Sequence, residues 1–165
     1  MVQRIFGWLG QLSVLMLLVV MISMATDWVQ DHDFPTAKVP ELQGCSIQGE
    51  RVDLNELSQD QPVLVYFWST GCDVCSFVTP AVDMIAQYYP VVSVTLSSGN
   101  KTEVTEYLES NNYDFTVLND PIYQHGQDWS VKATPTLYVV EDGKVEQFTT
   151  GFTTLPGIWR RMTFA

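Results

Sequence analysis

The chain has 165 residues and a formal net charge of −11 at pH 7. That charge argues against nucleic acid as a partner, because phosphates would be repelled. Three cysteines are too few for a disulfide-stapled scaffold, and the roughly 140 residues after the first segment can bury one core without staples.

Residues 1–4 read as a short cytoplasmic N-terminus carrying Arg4, and residues 5–25 as a transmembrane anchor. The stretch has no charge and is long enough to span roughly 30 Å at 1.5 Å per residue. Arg4 precedes it, and Asp27, Asp31 and Asp33 follow. That bias places the remainder outside the cytoplasm. Ser23-Met24-Ala25 also offers a small-x-small cleavage site, so a cleaved signal peptide competes with a retained anchor. The length of the apolar stretch favours the anchor. Both readings put the domain where disulfide chemistry is possible.

Residues 26–40, with Pro35 and Pro40, read as a polar linker, and residues 41–165 as the folded domain. Gly44 and Gly49 suggest a hairpin between short strands, and Asn55–Gln61 a short helix or turn. Val63–Trp68 is a continuous apolar run, as in a strand buried on both faces. Cys72 to Tyr89 shows helical spacing of Phe77, Val78, Ala81, Val82, Ile85 and Ala86, with Pro80 expected to kink it. Val91–Leu96 reads as a strand. Lys101–Ser110 reads as a helix with Thr102 as a candidate N-cap. Phe115–Leu118 reads as a strand, Ile122–Val131 as a helix, and Thr136–Val140 as a strand. A tight turn at Glu141–Lys144 leads to a strand over Val145–Phe152, and Pro156 opens a last helix to Ala165. Alternating strands and helices ending in a hairpin and a helix predict an α/β domain with a central mixed sheet.

Cys72 and Cys75 carry the strongest chemical signal. A buried strand delivers Cys72 to a helix N-terminus, where free N–H groups and the helix dipole stabilise a thiolate. Cys75 lies nearly one turn on, so the two sulfurs can close a disulfide. The thiolate is the reactive species.

The segment Phe67-Trp68-Ser69-Thr70-Gly71-Cys72-Asp73-Val74-Cys75, with Pro80 five residues on and a distant Ala133-Thr134-Pro135-Thr136-Leu137, resembles the thioredoxin fold. The resemblance covers residues 40–165. The extra strand–helix unit before Pro135 resembles the TlpA/ResA branch of membrane-anchored reductases. The anchor, the Thr-Leu-Ser-Ser-Gly-Asn, Asn-Asp-Pro and late Thr-Thr-Gly-Phe segments resemble the suppressor-of-copper-sensitivity D group. The resemblance implies a thioredoxin-like central mixed sheet flanked by helices, with an N-terminal strand extension, a βα insertion and no cofactor. It makes Cys72 the attacking thiolate and Cys75 the resolving thiol of a redox-active disulfide. Thr134 and a cis Pro135 form a substrate-docking ledge. The partners it implies are oxidised exported proteins and a membrane electron donor of the DsbD type.

Asp73, beside Cys72, disfavours the thiolate and so favours a reductase over an oxidase, although it equally suits a first helical turn. Two positions depart from relatives. Tyr66 stands where thioredoxins carry a buried acid, and Val78 where the ResA branch has a glutamate. Gly71 replaces the usual tryptophan before the first cysteine. Cys45 reads as a free or partly buried cysteine. His32 and His125, far apart in sequence, read as structural, so no metal site is expected. The rival readings are a thioredoxin-like protein that reduces apocytochrome c, and a Cu(I)-binding module using the same two soft thiolates.

Overall fold

The structure, a computed structural model, describes residues 39–165. The predicted N-terminus at 1–4, the anchor at 5–25 and all but the end of the linker at 26–40 lie outside the described residues. Among the described residues no helix is long and apolar enough to cross a membrane.

Two short strands, β1 (Gln43–Cys45) and β2 (Arg51–Asp53), form an antiparallel hairpin. Its turn needs Gly49, whose φ is +95°, in the left-handed region open to glycine. Asp53 then caps a one-turn helix, α1 (Leu54–Leu57), through the Asn55 and Glu56 N–H groups. The remaining elements are β3 (Val63–Trp68), α2 (Asp73–Ala86), β4 (Val91–Leu96), α3 (Lys101–Asn111), β5 (Thr116–Asp120), α4 (Gln124–Asp128), β6 (Thr136–Glu141), β7 (Lys144–Thr150) and α5 (Leu155–Thr163).

The five-stranded sheet has the order β5-β4-β3-β6-β7. Strands β3, β4 and β5 are parallel, β6 runs antiparallel to β3, and β7 antiparallel to β6. All six residues of β3 are buried, which is why its sequence is continuously apolar rather than alternating. Leu64, Tyr66 and Trp68 point into a core with Cys75, Val78, Val82 and Ile85 of α2 and with Ile158 and Met162 of α5. Phe67 points the other way and meets the rings of Trp129 and Tyr138. The β6–β7 hairpin turns through Asp142 and Gly143, both at positive φ, as a two-residue primed turn requires.

Three expectations are corrected. Helix α3 is capped by Asn100, not Thr102. The Asn100 side chain accepts the Thr102 and Glu103 N–H groups, and the Glu103 carboxylate accepts the Asn100 N–H, closing a capping box. The helix predicted over 122–131 shrinks to Gln124–Asp128, because Tyr123 at φ +63° and Ser130 at φ +51° stop helical propagation at both ends. What holds that short helix is Asp120, only 3% exposed. Its carboxylate accepts the Gln124 N–H at 2.7 Å and the Gly126 N–H at 3.1 Å. Helix α2 runs through Pro80 and ends at Ala86, short of Tyr89. Pro80 leaves the Ser76 carbonyl without its helical donor, and Ser76 is exposed, so water can take that role.

Within the core, Thr79 donates its hydroxyl hydrogen to the Cys75 carbonyl at 2.8 Å. Tyr66, 2.8 Å from Thr79 Oγ1, is therefore the donor in that pair. Burial raises the Tyr66 phenol well above its ordinary value. The phenol is neutral across the physiological range.

Two stability predictions follow from these contacts. Asp120→Ala strands the buried Gly126 N–H and the part-buried Gln124 N–H, and chemical denaturation should show a loss of about 1–3 kcal/mol. Tyr66→Phe should cost about 1 kcal/mol at pH 7. The raised Tyr66 phenol also sets a sign for pH. Its contribution is intact below the unfolded value of about 10 and is lost as pH rises above it, because the unfolded chain ionises first. Denaturation midpoints measured between pH 8 and 12 should fall at the alkaline end, and less steeply in Tyr66→Phe.

Candidate active site

Three loops meet at the carboxyl ends of the parallel strands, where open α/β sheets place their ligands. After β3 the chain turns through Ser69-Thr70-Gly71, and the Cys72 N–H closes the turn on the Ser69 carbonyl at 3.2 Å. Cys72 is the N-cap of α2, with extended backbone. Its Sγ accepts the Cys75 N–H at 3.1 Å, taking the place a serine or aspartate oxygen holds in an ordinary cap. The two cysteines are joined as a disulfide, with Cα atoms 5.2 Å apart, inside the range that bridging allows. Cys75 is 0% exposed and Cys72 half-buried. An incoming group therefore meets Cys72 first. In the dithiol state the same N–H and the helix dipole favour the Cys72 thiolate.

Opposite the sulfur stands the segment before β6. The Thr134–Pro135 peptide is cis, and the Thr134 carbonyl oxygen lies 3.4 Å from Cys72 Sγ. The β3–β6 ladder ends at Phe67 and Thr136, so Thr134 and Pro135 project just past it toward Cys72. Pro135 is tied from behind, its carbonyl accepting the Gly151 N–H at 2.8 Å at the end of β7. Thr136 donates to the Ala133 carbonyl at 2.7 Å. Thus Cys72, Cys75, Thr134 and Pro135, separated by some sixty residues in the chain, form one cluster.

Other residues singled out from the sequence lie elsewhere. Cys45 is free and exposed on β1. His125 is on α4, with Nδ1 buried and unpartnered, and His32 is outside the described residues. Tyr66 and Val78 line the core with Cys75. Asp120 is the buried carboxylate among the described residues, and it is engaged in holding α4. Trp68 is core, its indole N–H donating to Ser93 Oγ at 3.2 Å. Among the described residues no group of three His, Cys, Asp or Glu side chains could hold a metal ion.

Ser98 is a residue that sequence reasoning passed over. Its buried hydroxyl accepts the Thr70 N–H at 3.1 Å, lies 3.3 Å from Ser69 Oγ, and donates to the Leu96 carbonyl at 3.1 Å. Ser97, at φ +50°, turns the chain so that this hydroxyl faces the loop. Gly71 offers no anchorage, since a Cβ there would touch nothing within 4 Å. The turn that presents Cys72 is thus held from the end of β4. The available signal was the polar Ser-Ser-Gly-Asn segment after a strand parallel to β3. Ser98→Ala should slacken the turn, raise the pH at which Cys72 is alkylated at half its maximal rate, and slow alkylation at pH 7 about threefold or more. Ser98→Thr, which keeps the hydroxyl, should retain the wild-type pH profile.

Comparison with known proteins agrees with this geometry. Residues 31–148 match the AhpC/TSA family. A thioredoxin-like protein of Haemophilus influenzae is 36% identical over 152 residues, covering 92% of this chain and 90% of that one. The thiol–disulfide oxidoreductase ResA of Oceanobacillus iheyensis is 26% identical over 129 residues, covering 74% of this chain and 64% of its own. Among solved structures, the thiol:disulfide interchange protein DsbE of Chlorobium tepidum superposes with a TM-score of 0.69 at 24% identity, over 79% of this chain and 96% of that chain. StoA of Bacillus subtilis gives a TM-score of 0.66 at 19% identity, over 77% and 98%. The match across most of the domain, the relative at 36% identity and the paired Cys72 and Cys75 under a cis-proline segment together show that this chain belongs to the AhpC/TSA family, as a thioredoxin-like member with thiol–disulfide oxidoreductase relatives.

Proposed function

We propose that this protein is a membrane-tethered, extracytoplasmic disulfide reductase acting on exported proteins. The observation that carries the reading is the position of Cys72 Sγ. It caps α2, it is the more accessible sulfur of the pair, and it lies 3.4 Å from the Thr134 carbonyl at a cis-proline ledge.

In this reading Cys72 and Cys75 start as the dithiol. The Cys72 thiolate attacks one sulfur of a substrate disulfide, and the other substrate sulfur leaves as a thiolate that takes up a proton. Thr134 and Pro135 hold the substrate's extended backbone beside Cys72 during the attack. Cys75 then loses its proton and attacks Cys72. The substrate leaves with both sulfurs reduced, and the Cys72–Cys75 disulfide holds the two electrons' worth of oxidation. A membrane electron donor of the DsbD type returns the pair to the dithiol.

Asp73 supports the reducing direction. Its carboxylate sits in the first turn of α2 beside Cys72 and works against the helix N-terminus in stabilising the thiolate. A strong oxidant needs the opposite, a heavily stabilised reduced form. The apolar stretch over 5–25 and the acidic residues after it support the tether and its orientation.

The test is the redox equilibrium of the Cys72–Cys75 pair against dithiothreitol and glutathione buffers, read by thiol labelling. The expected potential lies near or below about −270 mV. A value near about −120 mV would sink the reductase reading and point to disulfide formation. In parallel, Cys75→Ser should accumulate a mixed disulfide with oxidised substrate proteins, and Cys72→Ser should accumulate none.

A further inference from the structure

An exposed apolar stripe begins in the same helical turn as the reactive sulfur. Val74 lies between the two cysteines and is 40% exposed. Phe77 is 72% and Met84 49% exposed. At about 100° per residue these three side chains fall within an arc of about 80° on α2. The side of α2 that faces the sheet is filled by Cys75, Val78, Val82 and Ile85, so the stripe belongs to the outer side. Just past the helix end, exposed Tyr88 packs its ring edge-on against Trp159 of α5, centroids 5.1 Å apart. Trp159 borders an open groove of about 480 Å³ with a mainly apolar surface, lined also by Arg160 and Thr163, that ends at exposed Phe164. The apolar surface thus runs on from α2 to α5. Such a surface on an otherwise acidic chain marks an interaction site.

Resting on the reductase reading, we propose that this stripe is the docking surface for substrate polypeptides that expose apolar side chains next to their disulfide, with basic residues flanking them. Two observations select that occupant. The first is continuity: a body covering Val74 and Phe77 is brought against Cys72, so it is one that exchanges disulfides there. The second is charge. Helix α2 carries Asp73 and Asp83 and no Lys or Arg, and the whole chain carries −11. The α5 end of the surface carries Arg160 and Arg161, so the acidic rim is the part along α2. Basic flanks are attracted to that part, whereas an anionic lipid surface is repelled from it and would cover Cys72. Phe77 and Met84 have flexible or planar side chains that suit varied apolar partners.

The test uses the full chain in phosphatidylcholine nanodiscs, since detergent would occupy the stripe. Three oxidised probes are compared: glutathione disulfide, scrambled ribonuclease A as a basic protein, and scrambled α-lactalbumin as an acidic one. The pre-reduced double variant Phe77→Ser/Met84→Ser should lose at least tenfold in its single-turnover, second-order rate constant on scrambled ribonuclease A and stay within twofold on glutathione disulfide. Phe77→Leu should keep most of the wild-type rate. Wild type should prefer the basic protein over the acidic one, and that preference should shrink with salt. Equal loss of the double variant on the protein and the small disulfide overturns the proposal, as does no loss on either. Wild-type self-association that the double variant abolishes overturns it too, by assigning the stripe to a second copy. A wild type inert toward all three probes would sink the reductase reading itself, an outcome separate from these.

Discussion

The site depends on a sulfur standing where a helix cap oxygen ordinarily stands. Cys72 Sγ accepts the Cys75 N–H at 3.1 Å, so the group to be activated and the group that caps α2 are one atom. The helix needs an acceptor at its first turn, and the thiolate needs donors. A single contact meets both needs. It also fixes which sulfur is accessible. The cap residue lies at the surface end of the helix, while Cys75, three residues on, turns inward to a core with Tyr66 and Val78.

Everything that surrounds this contact braces it. The turn before Cys72 is closed on Ser69 and held by Ser98 from the end of the neighbouring parallel strand. The cis-proline segment is held on one side by the β3–β6 ladder and on the other by the Gly151 N–H. Behind α2, Tyr66 donates to Thr79 and Thr79 to the Cys75 carbonyl. A buried tyrosine whose phenol is held neutral can orient the helix but offers no base for the Cys75 proton. That proton's acceptor therefore differs from a buried carboxylate at the Tyr66 position.

Much of the fold was legible because burial leaves a strong imprint on strands and helices. Val63–Trp68 and Val91–Leu96 came out as strands with the bounds the structure shows, since the first is apolar throughout and the second is apolar or β-branched except at Ser93. The Asp142-Gly143 turn was legible because few dipeptides accept positive φ at both positions. Errors concentrated where one specific side-chain-to-backbone contact overrides average propensity. The stretch 122–131 reads as one helix from the sequence, yet Tyr123 and Ser130 adopt left-handed backbone and Asp120 caps what is left. Asn100 outcompeted Thr102 as a cap because Glu103 could return the bond, a reciprocity that depends on where the turn places both side chains.

The sequence by itself determined that a dithiol sits at a strand-to-helix junction and that a Thr-Pro pair opens a later strand. Spacing of two and 3.6 residues, together with the residue types, is local information that the chain carries openly. Only the tertiary structure decided that Thr134 comes within 3.4 Å of Cys72, that Ser98 steadies the turn, and that Phe77 and Met84 face solvent. Those facts depend on sheet order and on which side of α2 meets the core. Both are set by the packing of segments tens of residues apart, for which no local pattern codes.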